Sequence, residues 1–197
     1  MNQLSTKIST KSYYKKSIDH RNTHKCGGYP FSNGEFLNKI VTAISAKSVL
    51  EIGTAIGYSA FCFADGNDVE VFTIDMVEEH GGISNDLWTK QGVGEQITFL
   101  LGKSADVLPT LSQQFDIVFF DGFAPNPEEV KQYDSVLKND GLLISTNLSW
   151  NSTTPRYIKE IEDTGMETLQ FDDTAFSSRN KNILKKCVDL WENKDRH

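Results

Sequence analysis

The stretch VLEIGTAIGYSAF, residues 49–61, decides the fold of this chain. Apolar residues run into an acid, Glu51, and then into two glycines, Gly53 and Gly57, before a helical pattern begins. Glycine readily supplies a tight turn after a strand and lets the backbone approach a ligand closely. The first N–H groups of the following helix have no helical partners and would face the same place. The pattern predicts a strand, a turn and a helix that bind a ligand.

The spacing of the glycines narrows the class of ligand. G-x-x-x-G differs from the G-x-G-x-x-G of nicotinamide and flavin sites, and no Gly-Lys-Ser/Thr follows as in a Walker loop. The next predicted strand ends in Asp75, where an acid can accept hydrogen bonds from ribose hydroxyls. A ribose site without a pyrophosphate cradle suggests S-adenosylmethionine. The alternative is that Gly53 and Gly57 only shape a strand-to-helix turn.

Strand and helix patterns alternate around this stretch. The predicted strands lie at residues 48–53, 69–75, 97–102, 115–121 and 142–146. An amphipathic helix with Ser32 and Glu35 at capping-box spacing precedes the first strand. Further helices are predicted at residues 58–65, between 77 and 92, and at 104–111, 127–137 and 155–165. This alternation predicts parallel strands with helices on both faces, joined by right-handed crossovers.

The C-terminal part of the chain breaks the alternation. We interpret METLQF (166–171) and NILKKCVDL (182–190), which have no predicted helix between them, as an antiparallel pair of strands at the sheet edge. The sequence therefore predicts an α/β fold. Its sheet has seven strands and is mostly parallel, with helices on both faces and an antiparallel C-terminal edge pair.

Composition and charge describe an ordinary globular protein with an uneven charge distribution. The chain has 197 residues, of which 38% are apolar, and a net charge of −7. The first 40 residues carry seven Lys or Arg against two acids. We predict a basic N-terminal arm over residues 1–30, partly ordered, and a single domain over residues 31–197. The acidic remainder argues against a nucleic-acid partner.

The chain shows no membrane or disulfide signature. Its N-terminus lacks the apolar region of a secretory signal, and no apolar run is long enough to cross a bilayer, so we expect a cytoplasmic protein. Cys26, Cys62 and Cys187 are far apart in the sequence and are expected to be reduced thiols. His20, His24 and Cys26 have a zinc-like spacing without an evident fourth ligand. The segment around His80 is interpreted as a loop.

The motifs together resemble a known family. VLEIGTAIGYSA, FTID, GKSADVLPTL and FDIVFFD occur in the order and spacing of class I S-adenosylmethionine-dependent methyltransferases. More closely, residues 30–150 resemble the catechol and caffeoyl-CoA type of O-methyltransferases. The resemblance implies a Rossmann-like methyltransferase fold, a small-molecule acceptor and, by family analogy, a homodimer.

The resemblance also implies which residues hold the cofactor. Those around its methionine part would be Glu51, Gly53, Thr54, Ala55, Gly57, Tyr58 and Ser59. Asp75 would hold the ribose, with Met76 packed near the adenine. Ser104 and Ala105 would meet the adenine edge. Asp121 would complete the cofactor contacts, facing the position from which the methyl group leaves.

The sequence departs from the family at the metal site. Metal-dependent members carry D-x-D-K or a similar motif at the fourth strand tip and D-N at the fifth, whereas this chain has DGFA (121–124) and TN (146–147). Asp121 and Asn147 remain, but the other acids and the lysine are replaced. A hard cation prefers about six oxygen ligands. We therefore expect no full divalent-metal site; an ion, if bound, would contact Asp121 and Asn147.

Asp121 is the candidate catalytic residue, because a carboxylate there could orient or deprotonate an amine or hydroxyl without a metal. The alternative is that it caps the next helix. Phe123, Asn147 and Trp150 are the candidate substrate contacts, since they follow the fourth and fifth strand tips. The string DGFAPNPE also resembles the fourth-strand motif of methyltransferases that modify an aminomethyl group of a tRNA wobble uridine.

The sequence-based hypothesis is methyl transfer from S-adenosylmethionine to an oxygen or nitrogen of a small molecule. Two alternatives stay open. The first is a catalytically silent module that only binds S-adenosylmethionine. The second is an N-methyltransferase that acts on an amine of a modified nucleoside.

Overall fold

The computed structural model describes residues 7–25 and 29–192 of the chain. The strands within these residues are β1 Ser48–Ile52, β2 Glu70–Asp75, β3 Ile97–Leu101, β4 Phe115–Phe120, β5 Leu137–Ser145, β6 Glu167–Phe171 and β7 Thr174–Ser178. The α-helices are α1 Thr10–His24, α2 Gly34–Ile44, α3 Tyr58–Ala64, α4 Glu78–Gln91, α5 Ser104–Val107, α6 Val130–Val136, α7 Thr154–Asp163 and α8 Lys181–Glu192.

All seven strands form one sheet, in the order β3-β2-β1-β4-β5-β7-β6. The first five in this order are mutually parallel, whereas β7 is antiparallel to β5 and β6 is antiparallel to β7. The predicted sheet architecture is thus confirmed. The carboxyl ends of the parallel strands and the β6–β7 turn lie along one edge of the sheet. Open α/β sheets bind ligands at this edge.

The core lies on both faces of the sheet because strand residues alternate between the faces. On one face, Ile117 and Phe119 of β4 pack in a cluster that includes residues of α1, α2, α3 and α8. On the other face, Val118 and Phe120 pack with residues of α6 and α7. Strand β4 is therefore buried on both sides and reads as a continuous apolar run.

The predicted strand over residues 182–190 is wrong: this segment belongs to the helix α8. Its apolar residues recur three and four apart, which is the period of a helical face rather than of a strand. They are Ile183, Leu184, Cys187, Leu190 and Trp191. The second strand of the edge pair is β7, whose residues are all buried although three of the five are Ser or Thr.

Some predicted element ends shift in the structure. The N-cap of α2 is Asn33 rather than Ser32, because the Asn33 side chain accepts a hydrogen bond from the Phe36 amide at 3.0 Å. The predicted helix over residues 104–111 is the short α5 followed by a 3₁₀ turn, Leu108–Thr110. Strand β5 begins at Leu137, directly after α6, rather than at residue 142.

Helix α1 lies within the predicted N-terminal arm and packs on the body of the protein. Tyr13 is fully buried, and its ring lies 5.8 Å from Tyr58 and 5.3 Å from Phe61 of α3. Burial of a tyrosine side chain in such a cluster contributes about 2 kcal/mol. Helix α1 therefore contributes to the hydrophobic core. The division of the chain at residue 30 into an arm and a domain stays a prediction.

Among the described residues, no helix combines the length and the apolar character needed to cross a membrane. Cys62 and Cys187 are buried free thiols. Cys26, the third residue of the zinc-like spacing, lies outside the described residues, as do the ends of the chain.

Candidate functional site

The turn after β1 is built around two glycines in the left-handed region. Gly53 has φ +102°, and a Cβ there would lie 2.8 Å from the backbone oxygen of Asp121. Gly57 has φ +78°, and a Cβ there would lie 2.5 Å from the Trp88 ring. The first glycine therefore permits the close approach of β1 and β4. The second leaves room for Trp88, a reason that differs from the ligand approach that the sequence suggested.

Carbonyl groups of this turn are held from two helices. The Tyr13 hydroxyl of α1 donates to the Ile56 carbonyl at 2.7 Å. From α4, Ser84 donates to the Ala55 carbonyl at 3.2 Å, and the Trp88 indole N–H donates to the Gly57 carbonyl at 2.8 Å. These bonds fix the backbone of the turn. Because they occupy its carbonyls, the amides that α3 leaves unbonded at its start are the groups offered to a ligand.

Asp75 lies at the end of β2 beside this turn. One of its carboxylate oxygens, Oδ2, accepts hydrogen bonds from the amides of Thr54 at 3.2 Å and Ala55 at 2.9 Å. The other, Oδ1, accepts from the Val77 amide at 2.9 Å. The His80 ring contacts Oδ2 at 3.0 Å. Burial opposes ionisation, but these hydrogen bonds outweigh it and hold the pKa of Asp75 below its usual value.

Side chains exposed near Asp75 provide an apolar surface. Met76 directly follows it and is 61% exposed. Leu101, the residue of β3 that pairs with Asp75, is 52% exposed. Ser104 and Ala105 follow at the start of α5, where the Ser104 hydroxyl donates to Glu129 at 2.6 Å. Leu101 was not predicted from the sequence as a site residue. Its position at a strand end, directly before Gly102, could have indicated it.

Glu51 is fully buried rather than open to the edge of the sheet. The hydroxyls of Ser59 and Thr73 donate to its carboxylate. Burial outweighs these hydrogen bonds and raises the pKa of Glu51 to about 8. Thr54 is also buried, and its hydroxyl pairs with that of Thr73 at 2.6 Å. These side chains form a polar cluster beneath the glycine turn.

Tyr58 likewise points away from the strand tips. Its ring is buried between α1 and α2, 5.3 Å from the ring of Tyr14. A Cβ on Gly34 of α2 would overlap the Tyr58 hydroxyl. The group that Tyr58 can offer at the glycine turn is therefore its backbone amide. The Glu51 and Tyr58 side chains thus support the turn from inside.

Asp121 follows β4 at the same edge and is enclosed by neutral donors. Its Oδ1 accepts from the Thr146 hydroxyl at 2.5 Å and from the Asn147 amide nitrogen at 3.2 Å. Its Oδ2 accepts from the Phe31 backbone amide at 3.3 Å. Burial nevertheless raises the pKa of Asp121 to about 7, and the charge of Asp173 adds to the effect.

Asp121 does not cap the next helical segment. Asn126 has that role, because its side chain accepts a hydrogen bond from the Glu128 amide at 3.2 Å. The carboxylate is thus available to a ligand rather than used for capping. A group that titrates near neutral pH at a ligand-binding edge is a candidate acid or base.

The donor set around Asp121 does not match a hard divalent cation. Asn147 directs its amide nitrogen toward both Asp121 and the Gly122 carbonyl, at 3.2 and 2.9 Å. Both partners are acceptors, so the amide oxygen faces away from the carboxylate. Thr146 also gives its hydrogen to Asp121. Magnesium and calcium prefer several oxygen ligands, whereas this set offers one carboxylate that already accepts hydrogen bonds.

Two exposed aromatic rings lie after β4 and β5. Phe123 is 59% exposed, Trp150 is 51% exposed, and their rings meet edge to face at 5.4 Å. The loops that carry them are tied together, since Thr153 donates to the Pro125 carbonyl at 3.0 Å. The structure thus brings together two of the predicted substrate residues. Neither is among the described residues that line the cavity next to Asp121.

That cavity has a volume of about 510 Å³ and contains Asp121, Thr146 and Asn147 in its wall. Two further carboxylates, Asp172 and Asp173, reach it from the β6–β7 turn. Its aromatic lining comes from Tyr14, Tyr29, Phe31, Phe171 and Trp191. Its described lining includes no Lys, Arg or His. The cavity therefore combines aromatic walls with negative charge.

The relation of these residues to known proteins agrees with the geometry. A family model described as O-methyltransferase matches residues 11–183. The chain is 28% identical to a catechol O-methyltransferase of Niastella koreensis, over 63% of this chain and 62% of that protein. It is 32% identical to the caffeoyl-CoA O-methyltransferase of Petroselinum crispum, over 61% of this chain and 54% of that protein.

The match thus spans about half to three fifths of the length of these curated relatives. Among solved structures, the O-methyltransferase TomG of Streptomyces achromogenes in complex with SAM superposes with a TM-score of 0.72. The superposition covers 90% of this chain and 99% of TomG, and the two sequences are 19% identical. At this identity, the similarity shows the fold alone. Because the family model matches most of the residues, including both glycines and both edge carboxylates, the chain belongs to the O-methyltransferase family.

Proposed function

We propose that this protein transfers a methyl group from S-adenosylmethionine to an oxygen or nitrogen of a small-molecule acceptor. The observation that carries the proposal is the placement of two different carboxylates at one sheet edge. Asp75 is ionised and held by backbone amides, whereas Asp121 has a pKa near neutrality. When bound, the cofactor supplies an electrophilic methyl group on its sulfonium.

The residues at the β1, β2 and β3 tips suit the adenosine part of this cofactor. Asp75 can accept hydrogen bonds from ribose hydroxyls, as acids at this place in nucleotide folds do. Met76 and Leu101 expose apolar surface beside it, which suits the faces of an adenine ring. The N–H groups at the start of α3 suit the carboxylate of the methionine part. These groups support a site for S-adenosylmethionine at the tips of β1, β2 and β3.

Asp121 is proposed to orient the acceptor and to take its proton. A carboxylate with a pKa of about 7 is a stronger base than an ordinary aspartate and is still half ionised at neutral pH. The donors from Thr146, Asn147 and Phe31 fix its position, which supports alignment of the acceptor with the methyl group. No divalent ion is needed for this role, and the donor set supports a mechanism without one.

The charge of the cavity favours an acceptor that carries a positive group. Asp121, Asp172 and Asp173 contribute three carboxylates. The Arg21 guanidinium stacks on the Tyr29 ring, 3.7 Å from its centre, and is not part of the cavity lining. Aromatic walls stabilise organic cations by cation–π attraction. An anionic acceptor group would instead meet like charge in this cavity. The cavity thus supports an amine-bearing small molecule and keeps N-methylation as the second candidate function.

Cofactor binding is tested by thermal shift. S-adenosylhomocysteine should raise the melting temperature, and Asp75→Ala should largely abolish the shift. Asp68→Ala is the matched control, because Asp68 pairs with Lys47 at an exposed position and should leave the shift intact. Stabilisation by NAD but not by S-adenosylhomocysteine would refute the assignment of the cofactor.

Turnover separates the enzyme from the silent module. The protein is incubated with S-adenosylmethionine and aromatic acceptors in matched trios that bear an amine, a neutral group or a carboxylate. We expect S-adenosylhomocysteine to form fastest with the amine member, and equally with magnesium or with EDTA. Tight cofactor binding without product from any acceptor would support the silent module. The homodimer also stays a prediction, which sedimentation equilibrium would check.

A further inference from the structure

His80 lies in the first turns of α4 rather than in a loop, and it is 6% exposed. One ring nitrogen, Nδ1, is 3.0 Å from Asp75 Oδ2. The other, Nε2, is 3.3 Å from Nε2 of His20 on α1. His80 thus joins the candidate ribose carboxylate to α1. The cofactor contacts proposed for the β1 and β2 tips do not yet include it.

The hydrogen bonds around Asp75 divide unequally between its two oxygens. Oδ2 accepts three, from the amides of Thr54 and Ala55 and from His80. Oδ1 accepts one, from the Val77 amide. A carboxylate offers about four acceptor sites, roughly two on each oxygen. Oδ1 therefore keeps the capacity for a ligand hydroxyl, whereas Oδ2 is saturated.

His80 supplies the third hydrogen bond to Oδ2. Among residues 7–25 and 29–192, it is the one side chain that donates to Asp75, the other donors being backbone amides. Because the terminal torsion of an aspartate is intrinsically broad, each further donor narrows the range of carboxylate orientations. A third donor on Oδ2, from the buried His80 side chain, favours the orientation in which Oδ1 is open.

The contact with Asp75 places a hydrogen on Nδ1 of His80. Asp75 is an acceptor, so His80 Nδ1 carries the hydrogen in that contact. If the His80 ring is neutral, its Nε2 accepts from the Nε2–H of His20; if the ring is protonated, Nε2 donates to a neutral His20, and either state keeps the two rings in contact. Burial lowers the pKa of His20, which favours its neutral form. The ring of His24 stacks on His20 at 4.4 Å and supports it.

We infer that His80 is a positioning residue of the nucleoside site: it orients Asp75 so that Oδ1 accepts from a ribose hydroxyl, and His20 of α1 fixes the His80 ring. The inference rests on the proposed function, since it takes the ligand to be an adenosyl compound. It also gives α1 a role in cofactor recognition beyond its contribution to the core.

The test compares two substitutions that each keep one nitrogen of the ring. Asn places its amide nitrogen where His Nδ1 lies, so His80→Asn should keep the bond to Asp75 and lose the bond to His20. Gln places its amide nitrogen near Nε2, so His80→Gln should do the reverse. Each variant is titrated by calorimetry with S-adenosylhomocysteine and with its 2′-deoxy and 3′-deoxy analogues.

The readout is the ratio of Kd values between the deoxy analogue and the parent compound. In the wild type, loss of the recognised hydroxyl should weaken binding about tenfold, as expected for one hydrogen bond. His80→Asn should keep most of this ratio, and His80→Gln should lower it to about twofold. A general loss of packing would weaken both ligands equally and leave the ratio unchanged.

Two substitutions of His20, in the more accessible helix α1, provide a second comparison. His20→Gln retains an Nε2-like donor and should keep the ratio, whereas His20→Leu should reduce it about threefold. Equal ratios in wild type and His80→Gln, or equal losses in His80→Asn and His80→Gln, would overturn the inference while leaving the cofactor assignment intact. Absence of any binding to the wild type would overturn the proposed function, and the inference with it.

Discussion

At the scale of single residues, three carboxylates near one edge of the sheet differ because their neighbours differ. Asp75 receives backbone amides and an imidazole and is stabilised as an anion. Glu51 and Asp121 receive mainly hydroxyl or amide donors in buried surroundings, and burial dominates. The same functional group thus serves as a fixed anion in one place and as a group that titrates near neutral pH in another.

Asp121→Asn tests the role of the titrating carboxylate. The amide keeps the shape of the side chain but cannot take a proton, so kcat/KM should fall about 10²–10⁴-fold, a typical loss for a general base. In the wild type, kcat/KM should rise with pH and level off above about 7, as the carboxylate ionises. Methyl transfer by the variant within tenfold of wild type, with the same pH profile, would contradict the role.

Glu51→Gln tests the cost of the buried acid. The pKa of Glu51 is about 8 in the folded protein and about 4.3 in an unfolded chain, so the folded state holds the proton more tightly. Stability from this group is therefore present below about pH 4 and is lost as the pH rises toward 8.

The free energy of unfolding of Glu51→Gln, measured relative to wild type in urea, should thus increase between pH 5 and pH 8.5. The expected rise is on the order of 3 kcal/mol. A difference between the two proteins that does not vary with pH would show that Glu51 is ionised in the folded state throughout this range.

At the scale of elements, the turn between β1 and α3 depends on what packs against it. Gly57 and Gly66 have similar backbone angles, φ +78° and +73°, but a Cβ on Gly57 would meet Trp88, whereas nothing lies within 4 Å of one on Gly66. The two positions therefore separate backbone strain from steric overlap.

Gly66→Ala should lower the free energy of unfolding by about 1 kcal/mol, because alanine disfavours the left-handed conformation. Gly57→Ala should lower the free energy of unfolding by about 3 kcal/mol or more, because Trp88 must also move. It should also weaken the binding of S-adenosylhomocysteine. Urea denaturation and calorimetry measure both effects. Equal costs for the two substitutions would mean that the Trp88 contact is not restrictive.

The edge of the sheet shows where element prediction from sequence succeeded and failed. The five parallel strands were readable because strands buried on both faces form continuous apolar runs, such as residues 117–120. Strand β7 was missed because residues 174–178 hold buried serines and a threonine, whose burial depends on partners in β5 and β6. The strand prediction over residues 182–190 was wrong because the apolar residues of this segment have the spacing of a helical face.

At the scale of the whole molecule, α1 links the N-terminal segment to the ligand edge. The Tyr13 hydroxyl is buried and donates to the Ile56 carbonyl at 2.7 Å. Burial raises the pKa of Tyr13 far above its usual value, so it remains a donor at any ordinary pH. This contact joins residues 43 positions apart in the chain.

Tyr13→Phe should destabilise the protein by about 1–3 kcal/mol, because the buried carbonyl loses its partner. Amides of α1 should also exchange faster with deuterium. Tyr29→Phe is the control, since Tyr29 is 58% exposed and should change stability by less than about 0.5 kcal/mol. Similar effects of both substitutions would argue against a specific anchoring role of Tyr13.

Part of the candidate site could be predicted from the sequence, for the same physical reason as the fold. Gly53, Asp75 and Asp121 follow strand patterns, and parallel strands bring their carboxyl ends to one edge, so their proximity followed from local patterns alone. His80, Leu101 and the carboxylates of the β6–β7 turn were not assigned to the site, because their relevance depends on which elements pack beside them.

The sequence alone therefore determined the α/β architecture, the glycine turn and the two edge carboxylates, since these rest on local periodicity and on the geometry of parallel strands. Only the tertiary structure decided that Glu51 is enclosed, that Gly57 accommodates Trp88 and that Asp121 has neutral donors as neighbours. It also decided that His80 joins Asp75 to α1. Burial and hydrogen-bond partners arise from residues distant in the chain, and they set the charge state and orientation of each group.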